Sequence, residues 1–442
     1  MKTLITNAKI VNDGKVFDGD VLINDNRIEK IGTFSFHAKE TIDAKGQYLL
    51  PGVIDDQVHF REPGLTHKGN IFSESRAAVA GGITSFMDMP NTLPPTFTQE
   101  LLEEKYNIAS RNSIANYSFF IGASGTNEAE VMKTNLSQVC GLKIFMGSST
   151  GQLLVDDERV LERFFSKFQG LIATHCEDES IIQNNLVNFR LTYGEDIPMD
   201  YHPLIRSAEA CYKSSSYAVG LAKKFGTRLH VLHISTAREV PLFSENIELK
   251  KKKITSEACL HHLWFTDSDY AQLGSKIKWN PAIKTKNDRE ALIKALKEGH
   301  IDIVASDHAP HTWAEKQKLY FNCPSGGPLV QHSLTSMLEL CHRGIFTIEE
   351  VVEKMCHNPA ILFNIVDRGY IREGFFADLV LVDMDDKWMV GRENIMSACG
   401  WSPFEGMTFR SKIKATFVSG RQVYKDGQIV DNSRGQRLQF KQ

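Results

Sequence analysis

The chain lacks the cysteine pairs that mark a zinc ribbon or a disulfide scaffold. Its eight cysteines are scattered over 442 residues, and no two stand in a C-x-x-C arrangement. That usage is typical of a reducing compartment. The N-terminal segment has a strand pattern and not that of an apolar leader, and no apolar run is long enough to span a bilayer. We therefore expect a soluble cytoplasmic protein.

Strong charge of either sign is also missing. The formal net charge is −3, which argues against nucleic acid or an anionic membrane surface as a partner. Apolar residues make up 42% and charged residues 24% of the chain, which is ordinary globular usage. The length of 442 residues allows one large domain and a smaller one. A small molecule is the partner that we expect.

Both ends of the chain are rich in short β-strands. The first fifty residues contain TLITNAKIV, GDVLIND and RIEKIG, and the last seventy contain ADLVLVDM, KIKATFVSG and RQVYKDGQIV, with turn signals between them. Chain termini often lie close together in space. We therefore expect residues 1–50 and 365–442 to form one small β-sandwich domain.

The middle of the chain, residues 51–364, alternates strand and helix patterns. Eight apolar strand candidates are mostly separated by helical stretches such as DERVLERFFSKF and NDREALIKALKEG. Parallel strands need such crossovers, so the order predicts an α/β protein with a catalytic (β/α)₈ barrel of the TIM type at residues 51–364.

Polar side chains fall at or just beyond the C-terminal ends of those strands. They are His59, Asn91, Lys143, His175, His233 and Asp307. In such a barrel, this rim is where catalytic groups converge. A lone strand-end histidine is more often structural than a ligand, but three imidazoles and a carboxylate on one rim suit zinc or a similar divalent ion. We therefore predict a site for one or two zinc ions.

Lys143 and Asp307 indicate what chemistry that site performs. A strand-end lysine can simply reach solvent, but burial and nearby cations in a metal pocket would lower its pKa. A neutral amine can react with carbon dioxide to form a carbamate, an anionic ligand able to bridge two metals. Asp307 could be a salt-bridge residue, or it could ligate a metal and carry a proton to a leaving nitrogen. The second interpretation predicts metal-assisted hydrolysis of an amide-like bond.

Nine motifs along the chain resemble those of dihydroorotases of the amidohydrolase superfamily, in the same order. They are PGVIDDQVHFREPG, DMPNT, KIFMG, THCED, HVLHIS, TSEACLHHL, KWNPAIKTKNDREAL, ASDHAPH and SPFEGMTF. The resemblance implies a metal-bearing (β/α)₈ barrel beside a small β-sandwich. It also implies the reversible hydrolysis of L-dihydroorotate to N-carbamoyl-L-aspartate, a step of pyrimidine biosynthesis.

The resemblance assigns metal ligands to matching positions of this chain. It implies that Lys143 as a carbamate, His175 and His233 hold the more exposed metal. It implies that His59 and Asp307 hold the more buried one, with Asp307 also acting as the general acid and base.

The resemblance also places substrate-binding side chains. Arg61, Asn91 and His311 would bind the substrate carboxylate. Asn280 would contact the pyrimidine ring, and CPSGGPLV could add backbone contacts. Arg61 has a physical rationale as well, because dihydroorotate carries a carboxylate that related cyclic ureides lack and a guanidinium matches it. A structural salt bridge, with Glu62 or elsewhere, is the alternative role of this arginine.

One position departs from the family pattern D-x-H-x-H. Residues 55–59 read DDQVH, so Gln57 stands where the first histidine ligand is expected. A neutral amide oxygen suits zinc less well than an imidazole. Three interpretations stay open. The buried metal is weak or absent; Gln57, Asp55 or His67 helps to fill its place; or the chain is a non-catalytic subunit that supports aspartate transcarbamoylase.

Allantoinases and dihydropyrimidinases use similar metal machinery and a similar lysine, so they are the rival enzyme classes. The motif HFREPG, together with Asn91 and His311, favours a dihydroorotase. The resemblance further implies a homodimer. The segment PHTWAEKQKLYFNCPSGG, after the eighth strand, is long enough to close over a substrate.

Overall fold

The computed structural model describes residues 2–147, 153–245 and 247–442, and the protein begins with five strands. They are β1 (Lys2–Asn12), β2 (Lys15–Asn24), β3 (Arg27–Gly32), β4 (Glu40–Asp43) and β5 (Tyr48–Pro51). β2 pairs antiparallel with β1 and β3, whereas β4 and β5 run parallel to β1. The first three strands coincide with the three N-terminal strand patterns of the sequence.

Parallel strands occupy the middle of the chain. They are β6 (Val53–Val58), β7 (Ile83–Asp88), β8 (Asn116–Phe119), β9 (Ile121–Gly122), β10 (Leu142–Phe145), β11 (Ile172–His175), β12 (Leu229–Val231), β13 (Ile254–Cys259) and β14 (Ile303–Ala305). Strands β6 to β8 form one parallel sheet and β9 to β14 another, both in chain order. Only Phe120 separates β8 from β9, and a parallel bridge from Val58 to His308 connects β6 with the segment after β14. This order of parallel strands confirms the predicted α/β class.

Helices connect most of the parallel strands and continue after β14. They are α1 (Ile71–Ala80), α2 (Gln99–Asn112), α3 (Glu128–Val131), α4 (Glu158–Lys167), α5 (Glu179–Tyr193), α6 (His202–Ile205), α7 (Ala208–Phe225), α8 (Leu260–Trp264), α9 (Tyr270–Leu273), α10 (Lys286–Glu298), α11 (Trp313–Lys316), α12 (Ser333–His342), α13 (Ile348–Val352) and α14 (Asn358–Leu362). α4 illustrates why they form, because Leu161, Phe164 and Phe165 recur at helical spacing and are buried. Among the described residues, no helix combines the length and apolar character needed to cross a membrane.

Strands from the C-terminal end complete the first sheet. They are β15 (Leu379–Asp383), β18 (Lys412–Val418), β19 (Arg421–Lys425) and β20 (Gln428–Ile429), whereas β16 (Trp388–Met389) and β17 (Thr408–Phe409) pair with each other in a separate sheet. The sheet order is β20-β19-β18-β15-β5-β1-β2-β3, with β4 paired to β1, so nine strands from both chain ends form one sheet. The domain boundaries, residues 1–50 plus 365–442 and residues 51–364, stay a prediction.

Buried apolar side chains join the parallel strands to this sheet. One cluster includes Val79 of α1, Phe86 of β7 and Val380 of β15. Burying each such side chain contributes roughly 1.5–3 kcal/mol. The approach is close at Gly82, where φ is 82° and a Cβ atom would come 3.0 Å from Val380. Thr416 of β18 also donates a hydrogen bond to the carbonyl of Val79 at 2.7 Å. These contacts fix the sheet against the outside of the parallel strands.

A β-bulge interrupts β6 at the position where the family motif departs. Asp55 pairs with Phe86, but Val58 pairs with Asp88, so β6 carries one extra residue. A bulge breaks the alternation of side chains and turns consecutive residues toward new partners. As a result, Asp56 contacts β12 and Gln57 contacts β13, although the two residues are neighbours in sequence.

Candidate active site

A cavity of about 430 Å³ opens at the C-terminal ends of the parallel strands. All nine residues that the sequence predicts for metal or substrate line it, together with Gln57; the nine are His59, Arg61, Asn91, Lys143, His175, His233, Asn280, Asp307 and His311. A larger cavity of about 750 Å³ lies between α4 and α7 and is lined by none of them. The fold therefore brings the predicted set together, while the role of each member stays a prediction.

Two histidines face each other on one wall of the cavity. Nδ1 of His175, the last residue of β11, lies 2.8 Å from Nε2 of His233, which follows β12. The other nitrogen of His175, Nε2, donates to Oε2 of Glu177 at 2.9 Å, and Arg206 pairs with the same carboxylate. Burial opposes ionisation of Glu177, but Arg206 and His175 outweigh it and lower the pKa to about 2. An ionised Glu177 keeps the His175 proton on Nε2, so Nδ1 directs a lone pair at His233.

These two imidazoles have the protonation state and the hydrogen-bond partner that are usual for metal ligands. Burial lowers the pKa of His175, and burial together with His175 lowers the pKa of His233 well below its usual value, so both rings stay neutral. Nδ1 of His233 is buried and has no hydrogen-bond partner within the described ranges. A ligand histidine that donates its other N–H to a carboxylate is the usual arrangement at metal centres. His175 with Glu177 has that arrangement.

A second pair of donors lies beside Gln57. Nδ1 of His59 lies 2.7 Å from the side-chain oxygen of Asn91, which can only accept, so the proton is on Nδ1. Nε2 of His59 then faces Oδ1 of Asp307 at 3.3 Å, an arrangement that a proton or a metal ion between the two atoms stabilises. Gln57 Nε2 donates to the same Oδ1 at 3.2 Å, and the thiol of Cys259 donates to Gln57 Oε1 at 3.4 Å. The glutamine therefore directs a donor at Asp307 and its oxygen away from it.

Backbone conformation sets this rim apart from the rest of the strands. Arg61, His233 and Asp307 have φ angles of 70°, 41° and 47°. Side chains other than glycine rarely adopt that region, and each instance costs roughly 1–3 kcal/mol. Such strain concentrates at functional sites, where the surrounding structure holds it in place. Three instances on the lining of one cavity point to a site shaped for binding.

Lys143 lies on β10 at the floor of the cavity and is almost fully buried. Its Nζ is 4.7 Å from the ring centroid of Phe145, and no carboxylate in the described part of the chain forms an ion pair with it. Burial lowers the pKa of Lys143 to about 8, although Glu257 and Asp307 act in the opposite direction. A substantial fraction of neutral amine is therefore present near physiological pH. That is the form that can react with carbon dioxide.

Arg61 also lines the cavity and is a buried cation without a carboxylate partner among the described residues. Its Nε donates to the carbonyl of Pro310 at 3.0 Å, and Nη2 lies 3.0 Å from Nε2 of His311. No carboxylate of the described residues lies within ion-pair distance of the guanidinium; Glu62 instead accepts the N–H of Ile71. Burial lowers the pKa of Arg61 only to about 10, so it stays charged at neutral pH. A buried charge needs a partner, and the structural salt bridge with Glu62 is not formed.

A lysine that the sequence analysis missed contacts His311. Nζ of Lys68 lies 3.1 Å from Nδ1 of His311, while Nε2 of the ring lies 3.0 Å both from Nη2 of Arg61 and from the carbonyl oxygen of Ser325. An ammonium and a guanidinium can only donate, so the imidazole lies between two cations and one acceptor. Glu315 pairs with Lys68 at 3.0 Å. Lys68 thus adds positive charge next to Arg61 and contacts the far side of His311. Its only sequence signal is its position in the loop after HFREPG.

The glycine-rich segment also borders the cavity, through Pro324, Ser325 and Gly326. Nζ of the buried Lys316 donates to the carbonyls of Pro324 at 2.9 Å and Gly326 at 2.8 Å. Gly326 has φ 118°, and a Cβ atom there would lie 2.6 Å from the carbonyl oxygen of Ala309, so only glycine fits. The segment is therefore held tightly against the rim.

Asp55 and His67, the other residues considered as replacements for the missing histidine, do not line the cavity. Oδ1 of Asp55 accepts the backbone N–H groups of Gln57 and Ser306. His67 is more than half exposed, and its Nε2 lies 3.8 Å from Glu315. Of the three residues considered, only Gln57 is next to His59 and Asp307.

Comparisons with known proteins agree with this fold. Two family models match, Dihydro-orotase-like over residues 46–239 and Amidohydrolase family over residues 210–423. The chain is 34% identical to a dihydroorotase of Methanosarcina acetivorans, over 91% of this chain and 88% of the other, and 31% identical to one of Pyrococcus abyssi, over 98% of both. It is 33% identical to an allantoinase of Solibacter usitatus, over 99% and 97%. An L-hydantoinase structure from Arthrobacter aurescens superposes with a TM-score of 0.94 at 27% identity, over 99% of each chain.

The parallel-strand fold is that of the amidohydrolases, and the relatives of this chain support a cyclic amidohydrolase. The chain belongs to the amidohydrolase family, as one of its dihydroorotase-like members.

Proposed function

We propose that the protein catalyses the reversible hydrolysis of L-dihydroorotate to N-carbamoyl-L-aspartate, with zinc in the cavity. The observation that carries this proposal is Arg61, a buried cation without a carboxylate partner in the described structure, in the same cavity as the histidines and Asp307. Among the substrates of related enzymes, one that carries a carboxylate would supply the missing partner. The dihydroorotase relatives support the same choice.

The donor set fits a divalent metal. In this proposal Lys143 as its carbamate, His175 and His233 hold one ion, and His59 and Asp307 hold a second. The contact between Nε2 of His59 and Oδ1 of Asp307 supports it, because a cation between the two atoms stabilises the pair, and His175 with its Glu177 partner has the arrangement of a ligand histidine. A divalent ion bound here supplies Lewis acidity, which polarises the amide carbonyl and lowers the pKa of water.

The chain's own residues orient the substrate and move the proton. Arg61 binds the substrate carboxylate, with His311 and Asn91 beside it, and Asn280 contacts the ring. Asp307 accepts a proton from the attacking water and donates it to the ring nitrogen that leaves. Its Oδ1 is held by Gln57 at 3.2 Å, so the carboxylate cannot rotate freely.

For Gln57 we propose that the amide stands where a histidine ligand is expected but does not bind the metal. Binding of the ion by His59 and Asp307 is weaker as a result. The N–H of this amide now directs partial positive charge at Asp307, while its oxygen is held by Cys259. Becoming a ligand would require the amide to turn over and to lose both hydrogen bonds. The ion held by Lys143, His175 and His233 would be unaffected.

Gln57→His is therefore expected to raise metal occupancy between His59 and Asp307. An imidazole restores the nitrogen donor that zinc favours, and the hydrogen bond to Asp307 is lost. The measurement is the zinc content of purified protein, with the position of each ion given by anomalous scattering from crystals. Gln57→Leu is the control, because leucine is of similar size and has no atom that can bind the ion. An occupancy that does not change in Gln57→His would mean that another group already fills the position.

The test of the proposed reaction is an assay of the zinc-loaded protein with dihydroorotate, carbamoyl aspartate, allantoin, hydantoin and dihydrouracil. We expect hydrolysis of dihydroorotate and ring closure of carbamoyl aspartate. Turnover of allantoin or dihydrouracil with none of dihydroorotate would overturn the assignment in favour of an allantoinase or dihydropyrimidinase. No turnover of any of them, before and after loading with zinc or manganese, would favour the non-catalytic subunit.

A cytoplasmic location, a homodimer and an association with aspartate transcarbamoylase belong to the same proposal. They are expected from the family resemblance and from the scattered cysteines. In such an association we expect the chain to be an active enzyme and not a non-catalytic subunit, because only one expected ligand position has changed.

A further inference from the structure

A second cluster of metal-binding side chains lies inside the parallel strands and outside the cavity. Asp56 of β6, His230 of β12 and Glu257 of β13 are all fully buried. One ligand atom from each lies within 4.8 Å of the other two. None of the three lines the 430 Å³ cavity, and none of them belongs to the donor set described above.

The ion pairs within this cluster are longer than the shortest charge-assisted contacts of the protein interior. Nε2 of His230 lies 3.2 Å from Oε2 of Glu257 and 3.4 Å from Oδ2 of Asp56. A charge-assisted N–H···O bond is shorter, about 2.7–2.9 Å. The protein provides its own reference, because the equally buried pair His308 and Glu74 measures 2.9 Å. Nε2 of His230 therefore faces both carboxylates at once, as it would around one shared proton or around a metal ion in the place of that proton.

The spacing agrees with that of two ligands on one ion. Nitrogen and oxygen ligands about 2.0–2.2 Å from a tetrahedral zinc lie about 3.3–3.6 Å from each other. His59 and Asp307, the candidate ligands in the cavity, show the same separation, 3.3 Å. The two histidine–carboxylate contacts of His230 are close to this range.

Hydrogen bonding on the far side of the ring directs a lone pair into the cluster. Thr255 Oγ1 donates to the carbonyl of Leu229 at 3.2 Å, so it must accept from Nδ1 of His230 at 2.9 Å. Burial opposes ionisation of His230, but Asp56 and Glu257 outweigh it and raise the pKa to about 9, so the lone pair of Nε2 is available to a metal ion that displaces the proton between the two carboxylates. Outer hydrogen bonds of this kind orient the ligand histidines of metal sites.

Charge balance also favours a cation. With both carboxylates ionised, one proton on His230 would leave a net negative charge in the protein interior, whereas a divalent ion would leave none. Oδ1 of Asp56 is buried and has no hydrogen-bond partner among the residues that the structure describes. An unpartnered carboxylate oxygen costs free energy unless it has a ligand. Protons on His230 and on one carboxyl group would balance the charge as well, so protons and a divalent ion are the two alternatives that a crystal structure with zinc distinguishes.

We propose that Asp56, His230 and Glu257 bind a divalent transition-metal ion, of the zinc or manganese class, as a structural site inside the barrel. None of the three lines the cavity, so the ion would be out of reach of a substrate, and a fourth donor such as a water would complete the four ligands of a structural ion. The site is linked to the rim, because Oε1 of Glu257 accepts the backbone N–H of His233 at 3.0 Å. The proposal does not depend on which substrate the cavity takes.

The test is an anomalous difference map from crystals of the full chain grown with zinc. We expect a peak between the three side chains, separate from any peak at Lys143, His175 and His233. Asp56→Asn should remove this peak and lower the zinc content by about one ion per chain, since an amide is a weaker ligand. Glu74→Gln, which changes the reference pair, should leave the peak and the zinc content unaltered.

Absence of the peak in the wild-type crystals would overturn the proposal and leave a cluster held by protons. A peak of equal height in Asp56→Asn would overturn the ligand set. If Asp56→Asn does not fold, His230→Gln is the second variant, and the wild-type map decides by itself. Activity plays no part in these outcomes, so a failure of the proposed reaction would be seen separately in the substrate assay.

Discussion

Lys143→Ala is expected to abolish hydrolysis of dihydroorotate. In the proposed centre the carbamate of Lys143 is a direct ligand, and loss of an outer partner of a ligand already costs roughly 10–100-fold. We therefore expect kcat/KM to fall by more than about 100-fold. The measurement is steady-state kinetics on zinc-loaded protein, with zinc content determined on the same samples.

Chemical rescue distinguishes a carbamate from a plain lysine. Removal of the long side chain leaves room on the floor of the cavity, so acetate or propionate should bind there and restore part of the activity and of the zinc content. Lys252→Ala is the matched control, because Lys252 is also buried but pairs with Asp302 away from the cavity. Full activity of Lys143→Ala without added carboxylate would contradict the proposed role. Loss without rescue would leave Lys143 as an unmodified residue.

Much of this fold was predictable because its signals are local. Apolar strands followed by helical stretches predicted the order of the parallel strands. Polar residues at the ends of those strands predicted which side chains line the cavity. His175 shows how this worked: it ends β11, and the C-terminal ends of parallel strands meet on one side. The resemblance to dihydroorotases supplied residues beyond strand ends, such as Asn280 and His311, which both line the cavity.

What the sequence analysis missed depends on tertiary structure. Lys68, Glu177 and Arg206 act through contacts with His311 and His175, and their neighbours in sequence do not indicate these partners. The left-handed backbone at the rim carries no compositional signal where glycine is absent. Each of these features required the loops to be in place.

The bulge in β6 is the clearest case. Strict alternation would turn Asp56 and Gln57 to opposite faces. One extra residue between Asp55 and Val58 instead brings Asp56 to His230 and Gln57 to Asp307. Interpretation of DDQVH as a motif with one ligand missing was therefore incomplete. The same stretch contributes to two clusters, one at the rim and one beneath it.

Arg61→Met is expected to raise KM for dihydroorotate by at least about 30-fold while changing kcat much less. Removing one partner of a buried charge pair costs roughly 2–5 kcal/mol, and the carboxylate is remote from the bond that breaks. Arg61→Lys should fall between the two, because an ammonium keeps the charge but not the paired donors. Initial rates over a range of dihydroorotate concentrations give the two constants.

Stability provides a second and independent measurement on the same variants. Without substrate, Arg61 is a buried charge without a carboxylate partner, so replacing it with methionine should leave the thermal midpoint of the free protein unchanged or raise it. A structural salt bridge would predict a lower midpoint. The substrate carboxylate should stabilise the wild-type protein against heat, and this stabilisation should be lost in Arg61→Met. An unaltered KM together with a lower thermal midpoint in Arg61→Met would show that Arg61 is a structural residue. Another cation would then have to bind the substrate carboxylate, and Lys68, which contacts His311, is the candidate.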